Sequence, residues 1–244
     1  MKNWFTAIGG LSLAATVFIG GTAMKSPDTD PIKNNSITVA DSLVDTTALV
    51  WGIDLSHHQR NVDWDQIACE NPHFIFFKAT EGATHTDKMY HKYKFEAAER
   101  GIKVGSYHFF SYTTSGKDQA LHFLKTAHIQ KGDLPPVLDV EFKKEMASSA
   151  WISKNVQEWV RIIEDSIGVK PIIYCPCRMY NDHLESVLSD EYHLWIADYR
   201  KNPPGCNWTF WQKTDRHKLN GIAGNVDYNE FRGNILDLQE ILID

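Results

Sequence analysis

The stretch Pro135-Pro136-Val137-Leu138-Asp139-Val140-Glu141 decides the fold and the chemistry expected of this chain. Its apolar residues predict a buried strand, because strands covered on both faces are nearly continuous in hydrophobic residues. Two acids end the stretch, and side chains two positions apart on a strand point to the same face. Asp139 and Glu141 are therefore expected to share one wall at the end of a buried strand.

Similar apolar runs recur along the chain and alternate with segments of helical periodicity, the pattern of βα units around a mostly parallel sheet. Eight strands are predicted, at Gly52–Ser56, Phe74–Ala79, Val104–Phe110, Val137–Glu141, Ile172–Cys175, Leu194–Asp198, Phe210–Gln212 and Val226–Tyr228. Helices are predicted at Tyr90–Arg100, Lys117–Ala127, Trp151–Ile167 and Asp182–Leu188, with a short helical tail after strand eight. The expected fold class is α/β, a TIM-like barrel that is irregular at its end because little chain separates the last three strands.

The composition is that of a folded, soluble domain rather than a nucleic-acid-binding protein. Hydrophobic residues make up 43% of the 244 residues and charged residues 23%, which is enough apolar material for a sizeable core. The formal charge is -6, and no basic run is present that could follow a phosphate backbone. We expect one catalytic domain over residues 49–244, a monomer, and no nucleic-acid partner.

The N-terminus differs from this average and resembles an export signal. An apolar stretch runs from Trp4 without a charge until Lys25, and Gly21-Thr22-Ala23 offers small residues for a peptidase. Residues 1–23 are predicted to be a signal peptide, with a retained membrane anchor as the alternative, and residues 24–48 a flexible linker. The protein is expected to be secreted or periplasmic, with no membrane contact beyond this segment.

Four cysteines allow three complete pairings, and the sequence does not choose among them. Cys175-Pro-Cys177 lacks the C-x-x-C spacing that redox and zinc motifs prefer, and no second pair follows it. Cysteines that are buried or paired structurally are therefore favoured over a redox or metal motif.

In a barrel of this kind the carboxyl ends of the strands form the functional mouth. Acids and hydrogen-bonding aromatic residues are concentrated at these predicted ends: Asp54, Lys78, Glu81, Tyr107, His108, Asp139, Glu141, Tyr174, Asp198, Gln212 and Asp227. So many polar groups at one mouth predict a binding or catalytic site.

Neighbouring carboxyl groups such as Asp139 and Glu141 do not ionise independently, so the pKa of one of them is expected to rise. A carboxyl group that keeps its proton near neutral pH can protonate a departing glycosidic oxygen, the central need of glycoside hydrolysis. An isolated Asp-x-Glu is usually a solvated strand edge. Here the preceding apolar run makes a paired or functional role the better interpretation.

The chain from about Trp51 to Phe231 resembles glycoside hydrolase family 25, the N-acetylmuramidase type of lysozyme. The resemblance rests on ordered motifs at each predicted strand: Gly52–Ser56 with Gln59 and Val62–Trp64, Phe77–Gly82, Gly105–Phe110, Pro136–Glu141, Ile173-Tyr174, Leu194–Tyr199, Phe210–Gln212 and Val226–Asn229. It implies five βα units followed by three strands with few helices. It also implies hydrolysis, with retention, of the β-1,4 bond between N-acetylmuramic acid and N-acetylglucosamine in peptidoglycan.

The same resemblance implies roles for individual residues. Glu141 matches the general acid/base. Asp139 matches a partner that either orients the acetamido group of the substrate for internal attack or stabilises the charged intermediate. The further residues expected at the site are the acids Asp54 and Asp198, and the substrate-binding residues Tyr107, Tyr174, Gln212, Asp227, Lys78 and, as a face for sugar stacking, Trp211. No metal or other cofactor is expected.

Two departures from the family pattern concern substrate fit rather than the acid pair. Lys213 follows the Phe-Trp-Gln run where an aromatic residue is frequent, and Arg60 occupies a turn position that is commonly glycine. They bear on which peptide or acetyl substituents of the glycan are accepted.

Two other functions remain open at this point. His57, His58 and His108 suggest a zinc-dependent peptidoglycan deacetylase, although no H-x-x-x-H or H-E-x-x-H spacing is present. A carbohydrate-binding barrel without catalysis is the other alternative, because a fold does not guarantee a function. The presence of both Asp139 and Glu141 argues against that second alternative.

Overall fold

The computed structural model describes residues 45–200 and 202–244. The predicted signal segment, residues 1–23, and most of the predicted linker, residues 24–48, lie outside the described residues. Within the described part of the chain, no helix has the length and apolar character needed to cross a membrane.

The described chain forms one sheet of nine strands, eight of which close into a barrel. The strands are β1 (Trp51–Leu55), β2 (Phe74–Glu81), β3 (His85–Thr86), β4 (Lys103–Phe109), β5 (Val137–Asp139), β6 (Ile172–Pro176), β7 (Leu194–Ala197), β8 (Phe210–His217) and β9 (Val226–Phe231). Around the barrel the order is β1-β2-β4-β5-β6-β7-β8-β9, and β9 pairs with β1. The short β3 pairs with β2 outside this ring. The predicted α/β barrel is confirmed.

A helix follows each of the first five barrel strands, as expected of five βα units, and a sixth helix follows the last strand. The helices are α1 (Trp64–Glu70), α2 (Tyr90–Ala98), α3 (Gly116–Ala127), α4 (Ser149–Ile167), α5 (Cys177–Met179), which continues as a π-helical turn (Tyr180–Leu184), and α6 (Ile235–Glu240). Helix α1 was not predicted. The Asp63 carboxylate caps it by accepting hydrogen bonds from the backbone N–H groups of Asp65 and Gln66, at 3.2 and 3.1 Å.

Strand β9 runs antiparallel to both of its neighbours, whereas the other barrel pairs are parallel. The predicted strands Phe210–Gln212 and Val226–Tyr228 were too short, because β8 and β9 extend into a hairpin. Asp227 therefore lies near the amino end of its strand, not at the carboxyl end as predicted. Asp227 is paired with Asp54 across the antiparallel β1–β9 ladder, so Asp227 still lies at the mouth although its strand is reversed.

The alternation of side chains along each strand divides the barrel interior into an apolar bottom and a polar mouth. Phe74, Phe76 and Phe210 are fully buried in the lower layer, where they contact one another edge to face. Lys78 follows in the same orientation two positions after Phe76 and lines the mouth. Residues of the opposite orientation, such as Ile75, belong to the core between the barrel and the helices.

Two glycines make room for the phenylalanine layer. A Cβ atom on Gly52 would lie 2.3 Å from the backbone oxygen of Phe74, and one on Gly105 would lie 2.3 Å from the ring of Phe76. Any side chain at these positions would displace the aromatic floor on which the polar mouth is built.

A disulfide joins Cys177 to Cys206 and so links α5 to the loop that precedes β8. Cys69 and Cys175 are free, the first exposed and the second buried. Cys175 faces the core between strand and helices, whereas Cys177 lies beyond the end of β6. The structure thus selects a single pairing that the sequence left open.

Candidate active site

A cavity of about 180 Å³ lies at the mouth of the barrel, above the apolar layer. Eight of the ten predicted site residues line it: Asp54, Lys78, Tyr107, Asp139, Glu141, Tyr174, Gln212 and Asp227. Asp198 and Trp211 do not. Five further residues line the cavity without having been assigned a role from the sequence: Ser56, His58, Phe109, Trp195 and Tyr199.

Asp139 ends β5 and points into the barrel, where its side chain is almost completely removed from solvent, with 7% of the residue exposed. Its Oδ1 atom is buried and has no hydrogen-bond partner within the described residues. Burial raises the pKa of Asp139 well above its usual range, and the charge of Glu141 adds to this effect. A buried carboxyl oxygen without a partner marks a position prepared for a ligand or a proton.

Glu141 lies two residues beyond Asp139 and outside the strand, since β5 is shorter than predicted. Two hydrogen bonds hold the backbone at and before Glu141. The Val140 N–H donates to the Tyr174 carbonyl at 2.9 Å, and the Tyr112 hydroxyl donates to the Glu141 carbonyl at 2.6 Å. Burial raises the pKa of Glu141, and the charge of Asp54 adds to this, while the Tyr174 hydroxyl and Lys143 oppose it. Both members of the acid pair thus have raised pKa values and face one accessible cavity.

Asp54 is held by a network of amide and hydroxyl groups on the opposite wall. Its Oδ2 atom accepts hydrogen bonds from the side-chain amides of Gln212 and Asn229, each at 2.9 Å. Gln212 in turn accepts from the Tyr174 hydroxyl at 2.8 Å, and Asn229 accepts from the Trp195 indole N–H at 2.8 Å. Gln212 is therefore a positioning residue that fixes both Asp54 and Tyr174.

Asp54 and Asp227 form a second pair of carboxyl groups across the β1–β9 ladder. Burial and the charge of Asp54 raise the pKa of Asp227 to about 9. Burial also raises the pKa of Asp54, against the hydrogen bonds from Asn229 and Gln212. Because two adjacent buried carboxylates repel each other, this pair retains one proton that the two carboxyl groups share near neutral pH.

Two lysines flank Phe109 at the rim of the cavity. The Lys78 Nζ atom lies 4.6 Å from the centre of the Phe109 ring, and the Lys143 Nζ atom lies 4.4 Å from it. Lys78 also donates a hydrogen bond to Glu81 at 2.6 Å. These cations partly offset the effect of burial on the pKa of both Asp139 and Glu141. They therefore keep the raised pKa values from rising further.

Asp198 was predicted to line the groove, and the structure contradicts this. Its carboxylate is engaged by Arg200, whose Nε atom lies 2.8 Å from Oδ1 and 3.1 Å from Oδ2. Hydrogen bonds from Arg200 lower the pKa of Asp198. An acid paired in this way stays ionised and outside the cavity, because the cation two residues later provides its partner.

Trp211 was predicted to offer a face for sugar stacking, and this is also wrong. It is 3% exposed, and its indole N–H donates to the Asp198 carbonyl at 2.7 Å. The Lys213 Nζ atom lies 4.6 Å from the centre of its ring and 2.6 Å from Glu230. The aromatic residue that lines the cavity and is open to solvent is Tyr199, which is 54% exposed.

Trp195 and Tyr199 of the lining, and Asn229 behind it, belonged to the recognised motifs but had no chemical signal of their own. Tyr199 follows Asp198 in the sequence, and its hydroxyl donates to Gln212 at 2.8 Å. Asn229 lies in the last motif and becomes important only because antiparallel β9 places it beside Asp54. Partners of this kind depend on the strand order, which the sequence does not display.

Two of the three histidines considered as zinc ligands, His57 and His108, are occupied by other contacts. His108 is fully buried, with Nδ1 2.7 Å from the Thr80 hydroxyl and Nε2 3.0 Å from Gln119, and burial lowers its pKa to about 3. His57 Nδ1 lies 2.6 Å from Asp87. Across residues 45–200 and 202–244, no three His, Cys, Asp or Glu side chains are arranged to hold a metal ion. The deacetylase alternative thus lacks a ligand set in this part of the chain.

The sequence model of the glycosyl hydrolases family 25 matches residues 53–222, which include the acid pair and most of the barrel. The chain belongs to glycosyl hydrolase family 25. It is therefore a glycoside hydrolase, and its closed barrel with few late helices is the fold of this family.

Relatives and solved structures of family 25 resemble the chain over most of its length. The uncharacterized protein YegX of Escherichia coli K12 is 36% identical over 217 residues, covering 86% of this chain and 77% of YegX. The autolytic lysozyme of Clostridium acetobutylicum is 30% identical, covering 79% of this chain and 59% of that protein. A family 25 glycosyl hydrolase of Bacillus anthracis has a solved structure with a TM-score of 0.73 and 32% identity, covering 78% of this chain and 92% of that one.

Proposed function

We propose that this family 25 glycoside hydrolase is a muramidase that cuts bacterial peptidoglycan. The bond cleaved is the β-1,4 bond between N-acetylmuramic acid and N-acetylglucosamine, with retention of configuration. The observation that carries the proposal is the pair Asp139 and Glu141, a buried and a half-buried acid with raised pKa values in one open cavity. The name of the autolytic lysozyme relative supports the same reaction.

Glu141 acts as the general acid and base. Its protonated carboxyl group donates a proton to the glycosidic oxygen as the bond to the sugar carbon breaks, which releases the leaving sugar as an alcohol. The resulting Glu141 carboxylate then takes a proton from the water that attacks the same sugar carbon. Glu141 regains its proton in this step, so the residue is ready for another cycle.

Asp139 acts on the intermediate that forms between these two steps. It either orients the acetamido group of the substrate for internal attack or stabilises the positive charge that develops on the sugar ring. Both roles require the carboxylate beside the reacting carbon, and the unpartnered Oδ1 atom is available for this contact. In the first case the acetamido oxygen displaces the leaving sugar and water then displaces that oxygen; in the second, water enters on the face that the leaving sugar has vacated, and both routes give retention.

The remaining lining residues bind and orient the sugar. Burial, with the nearby charges of Asp54 and Asp139, raises the pKa of the Tyr107 hydroxyl, which therefore remains a hydrogen-bond donor. Lys78 supplies a further donor, and Tyr174, whose hydroxyl donates to Gln212, offers its hydroxyl oxygen as an acceptor. Asp227 and Gln212 hold Asp54 in place, and Asp54 completes the set of acids. Tyr199, rather than Trp211, offers the exposed aromatic face for sugar stacking.

The proposed substrate lies outside the cytoplasm, so the enzyme must be exported to reach it. Residues 1–23 provide the expected signal or anchor, and secretion or a periplasmic location follows from it. We propose that the exported protein acts as a monomer on glycan strands. Determining the N-terminus of the protein recovered from its producer tests whether the segment is removed.

The test of the proposed reaction is digestion of purified peptidoglycan by the protein, with mass spectrometry of the released fragments after reduction. A muramidase leaves N-acetylmuramic acid at the new reducing end, and this is the expected result. Binding to glycan strands without new reducing ends would favour the silent carbohydrate-binding barrel. Loss of acetyl groups with intact strands, abolished by a chelator, would favour the deacetylase.

A further inference from the structure

A second cleft opens beside the active-site cavity and has no part in the reaction described above. It has a volume of about 540 Å³, and its walls are formed by segments 60–66, 89–93 and 219–223. We refer to it as the side cleft.

The side cleft and the active-site cavity share two chain segments as walls. His58 lines the cavity, and Arg60, two residues later, lines the side cleft. On the other side, Ala223 lines the side cleft and Asp227 lines the cavity. Consecutive Cα atoms are 3.8 Å apart, so about 8 Å or less separates His58 from Arg60. Short stretches of chain, residues 58–60 and 223–227, therefore connect the lining of the cavity to the lining of the side cleft.

The side cleft carries two cations that nothing in the described chain neutralises. Among residues 45–200 and 202–244, neither Arg60 nor Lys92 forms an ion pair. The acid in the same wall, Asp63, is committed as the cap of α1 and also accepts a hydrogen bond from the Gln66 side chain at 2.6 Å. The side cleft is thus suited to a ligand with free carboxylates.

The accessible surface of the side cleft is mostly polar, and apolar side chains lie largely buried beneath it. Trp64, Leu219 and Ile222 contribute largely buried side chains to the lining, at 6%, 6% and 8% exposure. The amide side chain of Asn61 lies at the rim with Arg60. Accessible cationic and amide groups over a firmly packed base fit a short peptide that carries carboxylates better than a neutral sugar.

We propose that the side cleft binds the stem peptide of a peptidoglycan strand whose muramic acid unit occupies the active-site cavity. Arg60 and Lys92 bind the free carboxylates of that peptide. An extended stem of three to five residues spans roughly 10 to 18 Å, which is enough to cross the shared wall. This inference rests on the proposed muramidase function and specifies which part of the strand is recognised besides the sugars.

The test compares stem-bearing glycan strands with strands of equal length from which an amidase has removed the stems. For each protein, kcat/KM is measured on both substrates from the release of reducing ends. In the wild type the ratio of the two values favours stem-bearing strands. In the double variant Arg60→Gln, Lys92→Gln this ratio falls about threefold to tenfold, mainly through KM, as expected for two solvent-accessible charge pairs. Lys154→Gln, an exposed lysine on α4 away from both sites, keeps the wild-type ratio.

A second measurement is independent of catalysis. The free tetrapeptide L-Ala-D-Glu-diaminopimelate-D-Ala is added to isotope-labelled protein, and backbone amide shifts are recorded. We expect shifts in segments 60–66 and 219–223 that the double variant loses. No shifts in the wild type, or an equal loss of kcat/KM on stem-bearing and stripped strands in the double variant, would overturn the proposal. Peptide shifts without any glycan cleavage by the wild type would support the side cleft and reject the muramidase function.

Discussion

Asp139 and Asp198 lie at the carboxyl ends of two parallel strands of the barrel, β5 and β7, and the structure gives them opposite environments. Asp139 ends β5 inside the cavity, where burial raises its pKa and no described group pairs with its Oδ1 atom. Asp198 follows β7, and hydrogen bonds from Arg200 lower its pKa. Position at the end of a strand brings an acid to the mouth. The partner that the acid finds there decides whether it can hold a proton at neutral pH.

The largest effect is expected at the proton donor itself. Glu141→Gln keeps the shape of the side chain but removes its proton transfer, so kcat should fall about a thousandfold or more. The release of reducing ends from peptidoglycan measures this, with thermal melting and glycan binding as checks of folding. Glu145→Gln, at an exposed position four residues later that does not line the cavity, is the matched control. Near-normal turnover by Glu141→Gln would contradict its assignment as the donor.

The comparison between the two aspartates is tested by making the same change in each. Asp139→Asn is expected to lower kcat about a hundredfold, because the amide does not carry the charge that the intermediate needs. Asp198→Asn is expected to lower it less than tenfold, since that carboxylate is occupied by Arg200. Both rates are measured on one peptidoglycan preparation. Equal losses would show that position at the mouth, not the local partner, determines the role.

The free energy of unfolding should also distinguish these two variants. Asp139→Asn, which is expected to lose more activity than Asp198→Asn, is expected to gain stability. Because the pKa of Asp139 is raised on folding, the wild type loses stability as pH rises above about 4, where the unfolded carboxyl group ionises. Asp139→Asn removes this loss and should exceed the wild type in stability at pH 7 by on the order of 1 kcal/mol, with a smaller gain at pH 4. Asp198→Asn removes a carboxylate with a lowered pKa and should show no such gain. Urea unfolding at both pH values provides the measurement, and a pH-independent difference for Asp139→Asn would argue against the raised pKa.

The smallest effect concerns the cation nearest to the acid pair along the chain. Lys143 lowers the pKa of both acids, although burial still leaves them raised. In Lys143→Gln the pKa of Glu141 should therefore rise, and the alkaline limb of the activity profile should move to higher pH. The pH dependence of kcat measures the shift. A downward shift would mean that Lys143 does not act on the pair through its charge.

The sequence predicted the barrel and the acid pair because both depend on short-range patterns. The alternation along Val137–Glu141 fixed the shared face of its acids, and parallel strands bring their carboxyl ends to one mouth whatever their order. Eight predicted site residues line one cavity for this reason. Even Asp227, predicted at the wrong end of its strand, reached the mouth because β9 is reversed.

What the sequence did not predict depends on contacts between segments that come together only in the folded barrel. Asp198 offers a carboxylate and Trp211 an aromatic ring, each within a family motif. In the folded chain Arg200 binds the Asp198 carboxylate, and the Trp211 indole donates to the Asp198 carbonyl. The Cys177–Cys206 pairing likewise depends on how two loops approach each other. A pattern of residue types indicates which groups are available, and the folded chain determines which of them remain unpaired.

The central claim is that the cavity holds a carboxyl proton near neutral pH in the pair Asp139 and Glu141, while Asp198 does not. A carbon-detected NMR titration of the side-chain carboxyl groups, assigned with the Asp139→Asn, Glu141→Gln and Asp198→Asn variants, tests it most directly. The account predicts that at least one member of the pair titrates clearly above the usual carboxyl range and that Asp198 titrates below it. If both members of the pair titrated at ordinary values together with Asp198, the account would be contradicted.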